Sequence, residues 1–291
     1  MKVMVIGATG LLGKALLREW TGDEIVGLGS RDMDIRDATR VRAITQKSRP
    51  DWIVLAAAYT DVDGCEAHPE LAFSVNRDGA VNVAAAAEEA GAKLIFLSSD
   101  YVFDGSKTSP YDVVDERNAQ SVYGRSKAEA EVRLFQALPQ VCIVRTSWLF
   151  GAGGKCFPDT ILTLAANRPF LDVVDDQRGC PTYSRDLAKA IISLCRAGAS
   201  GILHVTNSGH CSWFEFAREI VGEAGLAVEV RPVSSAQMAR PAPRPAYSVL
   251  SATSLHPYAI EMPEWKDALR RYLQERASPA EPEIASPEAG C

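Results

Sequence analysis

The stretch Lys2-Val-Met-Val-Ile-Gly7-Ala-Thr-Gly10-Leu-Leu-Gly13 decides the fold. The run from Lys2 to Ile6 is almost entirely apolar and predicts a buried strand, and a helical pattern follows from the glycines to Trp20. The glycines let the backbone turn tightly and approach a ligand, while the helix N-terminus offers free N–H groups and a positive dipole end. Strand, glycine-rich turn and helix in this order are typical of a dinucleotide-binding unit.

Strands and helices alternate from this unit onward. Further strands are predicted at residues 24–28, 52–56, 93–98, 141–146 and 202–205. Helical patterns are predicted at residues 38–48, 69–76, 78–90, 123–138 and 184–197. Because strands that alternate with helices favour a parallel sheet, we predict an α/β fold with a Rossmann-type, doubly wound parallel sheet.

The composition changes after Gly151, where prolines and loop residues become more frequent. Ser212-Trp-Phe-Glu215 is a capping box that predicts a helix to Ala224, and a strand at 228–233 and a helix at 263–275 follow. We therefore predict a smaller, discontinuous α/β substrate domain of residues 151–182 and 208–276, beside an NAD(P)-binding Rossmann domain of residues 1–150 and 183–207. Residues 277–291 are rich in Pro, Ala, Glu and Ser and are expected to form a disordered tail.

The overall composition limits the functions open to this chain. Its 291 residues carry a formal net charge of −6, which gives no electrostatic case for nucleic acid as a partner. No apolar run reaches the ~18 residues that span a bilayer, and no signal-peptide pattern precedes the first strand, so we expect a cytoplasmic protein. The seven cysteines are scattered, odd in number and never spaced as CxxC, which indicates reduced thiols and no metal site.

Tyr123 and Lys127 form the candidate catalytic pair. A spacing of four residues puts both side chains on one face of a helix, and an ammonium beside a phenol lowers a Tyr pKa from about 10 toward neutrality. A tyrosine tuned in this way exchanges a proton with a carbonyl or alcohol oxygen near pH 7. Ser99 follows the strand at 93–98 and is placed to hydrogen-bond the same oxygen. The spacing alone also fits a solvated helix face.

The cofactor site is predicted from the glycine turn and the ends of the next strands. The spacing GxxGxxG is typical of extended short-chain dehydrogenase/reductases. Gly29-Ser30-Arg31 stands where a bare ribose would meet an acidic residue, and it leaves room and charge for a 2′-phosphate. We therefore expect NADPH, with NADH also possible. The predicted cofactor-binding residues are Gly7, Thr9, Gly10, Leu11, Leu12, Gly13, Arg31, Asp34, Ile35, Ala56, Ala57, Ala58, Thr60, Tyr123 and Lys127.

Six motifs together resemble the dTDP-4-dehydrorhamnose reductase family over about residues 1–275. The glycine turn and YGRSK at 123–127 are shared by many extended reductases. The other four motifs are SSDYVFDG at 98–105, RTSWLFG at 145–151, VDDQRGCPT at 174–182 and RPAYSVL at 244–250. The last three of these are far more specific, and together they separate this family from epimerases.

The resemblance implies a reduction of dTDP-4-dehydro-L-rhamnose to dTDP-L-rhamnose, a step of dTDP-rhamnose biosynthesis, by a monomer or homodimer. NAD(P)H would deliver hydride to the C4 ketone, and Tyr123 would protonate the alkoxide. Lys127 would hold the nicotinamide ribose, and Ser99 would fix the carbonyl. The implied substrate-binding residues are Asp100, Val102, Phe103, Trp148, Gln177 and Arg244.

Three departures and three alternatives accompany this resemblance. Ser99 stands where the family usually has Thr, Cys156 where it often has Asn, and Ala15 where some members have a Glu that shares a metal between subunits. The alternatives are another extended reductase acting on a nucleotide sugar, an epimerase, or a non-catalytic NADP-binding subunit like the regulatory subunit of methionine adenosyltransferase. Tyr101 after Asp100 argues against a 4,6-dehydratase, which usually has Asp-Glu there, and the intact catalytic set favours an enzyme.

Overall fold

The computed structural model describes residues 1–277. The strands are, in chain order, β1 (Lys2–Ile6), β2 (Glu24–Leu28), β3 (Trp52–Leu55), β4 (Lys93–Ser99), β5 (Cys142–Thr146), β6 (Leu149–Phe150), β7 (Phe170–Val174), β8 (Arg178–Gly179), β9 (Thr182–Tyr183), β10 (Gly201–His204), β11 (Cys211–Ser212) and β12 (Glu229–Val233). The helices are α1 (Leu11–Glu19), α2 (Ala38–Ser48), α3 (Val62–Ala67), α4 (Pro69–Phe73), α5 (Ala80–Ala90), α6 (Val122–Ala137), α7 (Phe157–Ala165), α8 (Ser184–Ala197), α9 (Trp213–Glu223) and α10 (Trp265–Ala277).

Six of these strands form one parallel sheet in the order β10-β5-β4-β3-β1-β2. The chain runs from β1 to β2 on one side and then crosses to β3 on the other, so the strand order reverses beside β1. Ligands of doubly wound sheets bind at such a reversal, beyond the carboxyl ends of the strands. The predicted Rossmann-type parallel sheet is confirmed.

Both faces of the sheet are buried, as the uninterrupted apolar strands require. Successive residues of β1 point to opposite faces: Val3 and Val5 pack with residues of α1 and α8, whereas Met4 and Ile6 pack with residues of α2, α5 and α6. Two helical layers therefore cover the two faces of the sheet.

A third hydrophobic cluster lies outside this sandwich. It collects buried side chains from the segments 150–183 and 211–272, among them Phe150, Phe216 and Trp265. The short strand pairs β6–β9, β7–β12 and β8–β11 belong to the same two segments. The capping box at Ser212 is present, with Glu215 as its partner. The domain boundaries given above stay a prediction.

One helical region differs from the sequence prediction. We expected helices at 69–76 and 78–90 with a break at Arg77, but the backbone stays helical from Pro69 to Ala90 through a π-helical segment, Ser74–Gly79. The buried Asn76 lies in this wide turn, where its amide bonds the backbone of Tyr59 and the hydroxyl of Ser126. Helices α3 and α7 were not predicted, nor were the short strands β6, β7, β8, β9 and β11.

Two further expectations concern the ends of the chain and the membrane. Ala277 is the last residue of α10, and the rest of the predicted tail lies outside the described residues. Within residues 1–277, no helix is both long and apolar enough to cross a bilayer.

Candidate active site

A cavity of about 910 Å³ opens at the carboxyl edge of the sheet, beside the strand-order reversal; we call it the cofactor cavity. The glycine turn forms part of its wall. A Cβ atom at Gly13 would lie 2.1 Å from the carbonyl oxygen of Gly7, and one at Gly7 would lie 2.5 Å from the backbone nitrogen of Ala57. The backbone segments are thus packed too closely for side chains at these two positions, which leaves the helix N-terminus open to a pyrophosphate.

The structure brings nearly all the predicted cofactor residues into this one wall. The exception is Arg31, which is exposed and lies outside the lining, although Ser30 and Arg36 belong to it. Its role with a 2′-phosphate stays a prediction. The predicted residues that line the cofactor cavity are Gly7, Thr9, Gly10, Leu11, Leu12, Gly13, Asp34, Ile35, Ala56, Ala57, Ala58, Thr60, Tyr123 and Lys127.

Arg36 is a cation of this wall that the sequence analysis missed. Its guanidinium makes a bidentate pair with Asp34, with Nη2 2.6 Å and Nε 3.0 Å from Oδ2. This hydrogen bond lowers the pKa of the Asp34 carboxyl. The pair places a carboxylate for ribose hydroxyls and a guanidinium for phosphate side by side, only three to five residues after Arg31.

Helix α6 carries the catalytic pair into the same cavity. Ser121 caps this helix by accepting a hydrogen bond from the backbone of Gly124 at 3.1 Å. Tyr123 and Lys127 therefore lie one turn apart and both line the cavity, together with Ser99 at the end of β4. Lys127 is 2% exposed, and its ammonium donates to the carbonyl oxygen of Leu97 at 2.8 Å.

The expected effect of Lys127 on the pKa of Tyr123 is not found. Burial raises the pKa of the phenol, the hydroxyl of Ser99 acts in the opposite direction, and Lys127 is not among the groups that shift it. Burial also lowers the pKa of Lys127 to about 7, although Glu131 opposes this shift. The prediction treated the ammonium as a fixed charge, but desolvation penalises the charged form of both groups.

Ser99 belongs to a chain of hydroxyls around a buried carboxylate. Its Oγ donates to Oδ1 of Asp100 at 2.9 Å, and the Oγ of Ser248 donates to Oδ2 at 2.6 Å. Burial raises the pKa of Asp100 to about 6. Asp100 was predicted to bind substrate; it lines the cofactor cavity, and Ser99 and Ser248 each hydrogen-bond one of its two oxygens. Ser248 was not identified from the sequence.

A second cavity of about 660 Å³ adjoins the first; we call it the substrate cavity. Val62, Tyr101 and Trp213 line both cavities, so the two spaces share part of their wall. The predicted residues Gln177 and Arg244 line the substrate cavity.

Two tryptophans form an aromatic wall near the junction of the cavities. Trp148 lines the cofactor cavity and stacks on Trp213, with ring centroids 3.5 Å apart and an interplanar angle of 7°. Trp148 adopts a φ of 45°, and a Cβ atom at Gly179 would lie 2.5 Å from its ring. The predicted apolar surface therefore exists, but the sequence analysis identified only one of its two rings.

Val102 and Phe103 do not line either cavity, which contradicts their prediction as substrate-binding residues. Both are at most 1% exposed and pack in a separate cluster with Tyr111 and Leu250. The ring of Phe103 stacks on that of Tyr111 at 4.2 Å. A short 3₁₀ turn, Asp100–Val102, follows β4 and takes the chain away from the cleft after Tyr101.

Comparison with known proteins agrees with this geometry. The family model described as RmlD substrate binding domain matches residues 1–278. The spore coat polysaccharide biosynthesis protein SpsK of Bacillus subtilis is 42% identical over 95% of this chain and 98% of its own length. A dTDP-4-dehydrorhamnose reductase of Mycobacterium tuberculosis is 40% identical over 96% of this chain and 93% of its own.

The chain belongs to the dTDP-4-dehydrorhamnose reductase family. A solved dTDP-4-dehydrorhamnose reductase from Bacillus anthracis, in complex with NADP, superposes with a TM-score of 0.92 at 38% identity. That match covers 94% of this chain and 99% of the other.

The departures from the reductase family can now be placed. Cys156 precedes α7 and its thiol lies 3.3 Å from Oδ2 of Asp159 and 3.5 Å from the hydroxyl of Tyr272. It lines neither cavity, so it is not placed to contact a ligand there. Ser99 keeps the hydroxyl of the Thr it replaces. Ala15 is buried in α1, and no group of three or more potential metal ligands occurs within residues 1–277.

Proposed function

We propose that this chain is an NADPH-dependent oxidoreductase that reduces the C4 ketone of dTDP-4-dehydro-L-rhamnose to give dTDP-L-rhamnose, with NADH as a weaker alternative. One observation carries the proposal: Ser99, Tyr123 and Lys127 lie in the wall of the same cavity as the glycine turn. A proton donor is thus placed beside the space that the dinucleotide needs. Family membership supports the choice of substrate.

The glycine turn fits a dinucleotide because its backbone is open on the ligand side and too crowded for side chains at Gly7 and Gly13. When bound there, NADPH supplies the hydride. The N–H groups at the start of α1 would bind its pyrophosphate, and Ala56, Ala57 and Ala58 leave room against the backbone for the ribose and nicotinamide.

Tyr123 is the proton donor in this proposal. An alkoxide forms at C4 when hydride reaches the ketone, and the buried phenol supplies the missing proton. Because burial raises the pKa of Tyr123, the phenol keeps its proton until the alkoxide is present. Lys127, whose ammonium donates to the Leu97 carbonyl, would hold the nicotinamide ribose beside Tyr123.

Ser99 holds the C4 oxygen from the other side. In the structure its hydroxyl proton points to Asp100, so it must rotate to donate to the substrate. The raised pKa of Asp100 makes this rotation easier, because a protonated Asp100 would itself donate to the Ser99 oxygen. The aromatic wall of Trp148 and Trp213 would cover the apolar face of the deoxysugar.

The test is a turnover assay with purified protein and two 4-keto substrates. We expect NADPH oxidation with dTDP-4-dehydro-L-rhamnose, measured at the nicotinamide absorbance, and dTDP-L-rhamnose as the product by NMR. dTDP-4-dehydro-6-deoxy-D-glucose serves as the competing substrate, because another nucleotide-sugar reductase would prefer it. Binding of NADPH without turnover of either sugar would instead support the non-catalytic subunit.

We further propose that the enzyme works in the cytoplasm as a monomer or homodimer. The six cysteines within the described residues are all free and buried, which suits a reducing compartment. Light scattering of the purified protein would determine the oligomeric state, and cell fractionation would determine the location.

A further inference from the structure

Asp63 connects α3 to a distant loop that lines the substrate cavity. Its carboxylate accepts hydrogen bonds from Arg244, with Nη1 3.1 Å from Oδ1 and Nη2 2.9 Å from Oδ2. The backbone N–H of Ala242 donates to Oδ1 at 3.1 Å, and Nη1 of Arg240 lies 3.6 Å from Oδ2. One carboxylate therefore contacts three residues of a single loop that lies about 180 positions away in the sequence.

The two arginines of this loop are not held by a helix or a strand. Residues 240–245 include three prolines and contain no helix or strand. The side chain of Arg244 is 15% exposed, whereas that of Arg240 is 57% exposed. Long guanidinium side chains lose considerable rotamer freedom when they bind a ligand, so a partner that orders them beforehand reduces this cost.

The charges around Asp63 do not cancel. Within the ion-pair cluster, Asp63 faces two guanidiniums, which leaves one excess positive charge, and the hydrogen bond from Arg244 holds the pKa of the carboxyl below its usual range. Both arginines line the substrate cavity, which Asp172 also lines, and its apolar lining includes Phe157, Ile161 and Leu164. A cationic end and an apolar wall match a nucleoside diphosphate.

We propose that Asp63 is a positioning residue that orients Arg244 and Arg240 toward the diphosphate of the nucleotide-sugar substrate. This inference rests on the proposed function, since it concerns the same substrate. Asp63 sits on the element that follows the cofactor wall, and its neighbour Val62 lines both cavities. The carboxylate thereby sets the distance between the diphosphate and the reacting end of the cleft.

The experiment measures binding of dTDP and of thymidine to the NADP⁺-bound protein. In Asp63→Ala and Asp63→Asn we expect the Kd of dTDP, from titration calorimetry, to rise about ten-fold or more. The Kd of thymidine, from NMR titration, should change less than about two-fold, because thymidine has no diphosphate. Asp63→Glu, which keeps the carboxylate, should recover part of the dTDP affinity.

Asp61→Ala is the matched control. Asp61 caps the same helix by accepting from the backbone of Gly64 at 2.9 Å, but it contacts neither arginine in the hydrogen bonds or ion pairs of the described residues. This variant perturbs α3 and should keep dTDP affinity within about two-fold of the wild type. In steady-state assays the Asp63 variants should raise the KM of the sugar nucleotide, with the KM of NADPH and kcat changed less than about three-fold.

Several results would overturn the inference. Unchanged dTDP affinity in the Asp63 variants would leave the ion pair without a role in binding, and tighter affinity would mean that Asp63 masks the arginines. Equal losses for dTDP and thymidine, or an equal loss in Asp61→Ala, would indicate a general loss of structure. A wild-type protein that binds dTDP but does not reduce the 4-keto sugar would contradict the proposed function alone.

Discussion

Tyr123 is the residue whose replacement tests the chemistry most directly. Tyr123→Phe keeps the ring and its edge contact with Tyr101, at 5.9 Å between centroids, but removes the proton. We expect kcat to fall by about 10²–10⁴-fold, with little change in thermal stability or in NADPH affinity. Stopped-flow and steady-state absorbance would measure the loss. Reduction at a near wild-type rate would mean that Tyr123 and Lys127 are ordinary residues of a helix face, without a catalytic role.

The buried Lys127 should make the free energy of unfolding depend on pH. Its pKa is about 7 in the folded protein and about 10.4 in an unfolded chain, so between these values only the unfolded state carries the proton. The wild type therefore gains stability as pH rises from 7 to 10, and Lys127→Met lacks this gain. Below pH 7 the Lys127→Met variant should have the larger free energy of unfolding. The gap between the two free energies should narrow toward pH 10.

Urea unfolding of both proteins at pH 6, 8 and 9.5 would measure that gap. A gap that stays constant over this range would contradict a lowered pKa for Lys127. The same variant should lose turnover and NADPH affinity, because Lys127 holds the nicotinamide ribose in the proposed mechanism. A joint loss of turnover and NADPH affinity would distinguish Lys127 from Ser99. Ser99→Ala should reduce turnover less than replacement of either Tyr123 or Lys127.

Cofactor preference can be assigned to one of two arginines. Arg31 is the residue expected from the sequence, whereas Arg36 lines the cofactor cavity beside Asp34. We expect Arg31→Ala to raise the KM of NADPH and spare that of NADH, because only NADPH has a 2′-phosphate. Arg36→Ala is the comparison. If Arg36→Ala alone shows the selective change, the phosphate is bound by the cation within the cavity wall.

Predictions about single residues succeeded where a motif determines the placement of a side chain. They failed where burial determines its pKa or its surroundings. Two residues four apart on a helix must share a face, so the placement of Tyr123 and Lys127 followed from the sequence. Their pKa values did not, because they depend on desolvation by side chains from distant segments. Val102 and Phe103 share a motif with Ser99, but the 3₁₀ turn directs them into a separate core.

At the scale of an element, the contact between the glycine turn and α1 is the most sensitive feature. Gly13→Ala would place a Cβ atom 2.1 Å from the carbonyl oxygen of Gly7 and 2.6 Å from Cα of Ala8. Helix α1 must shift to relieve this overlap, so we expect a loss of about 1–3 kcal/mol in unfolding free energy and at least a ten-fold weaker NADPH affinity. Chemical denaturation and fluorescence titration would measure these.

Gly222 provides the control for this substitution. It lies in α9, and a Cβ atom there would have no neighbour within 4 Å. Gly222→Ala should leave NADPH affinity unchanged and raise stability by about 0.4–1 kcal/mol, since Ala restricts the unfolded chain. Equal effects of the two substitutions would mean that the close packing at Gly13 is not what shapes the site.

The elements themselves were predicted unevenly. Strands of the central sheet and the longer helices followed from apolar periodicity, to within one or two residues. The π-helical segment did not, because its wide turn is associated with the bonds of Asn76 to Tyr59 and Ser126, which come from other parts of the chain. Helix α3 was missed because its six residues are too few to show a period, and the nine-residue α7, with Pro158 in its first turn, was missed as well.

At the scale of the whole molecule, cofactor binding should stabilise the fold. The cofactor cavity draws its wall from segments between Ile6 and Trp213, so an occupied cavity links most of the structure. At an NADPH concentration of 100 times Kd, linkage gives about 2.7 kcal/mol of stabilisation. Scanning fluorimetry should show a melting temperature that rises with the logarithm of NADPH concentration. In Gly13→Ala the increase in melting temperature at the same NADPH concentrations should be smaller.

The overall fold was the most predictable property, because alternation of strands and helices admits few parallel topologies. The substrate cavity was the least predictable. Its wall comes from residues 62 to 244, in loops, short strands and parts of α3, α7 and α9, and its lining includes Trp213 and Arg240, which were not predicted as site residues. Domain boundaries depend on the same irregular segments, and limited proteolysis would test them.

The wall that the two cavities share, formed by Val62, Tyr101 and Trp213, has a consequence for inhibitor chemistry. We expect that a nicotinamide mimic and a thymidine diphosphate mimic that each bind weakly can be joined by a short tether that uses a passage beside these three residues. Once one end is bound, the other is present at an effective concentration in the millimolar range, so the joined compound should bind 10²–10⁴-fold more tightly than either fragment, by an order-of-magnitude estimate. Trp213→Ala, which removes one wall of the passage, should relax the limit on tether length.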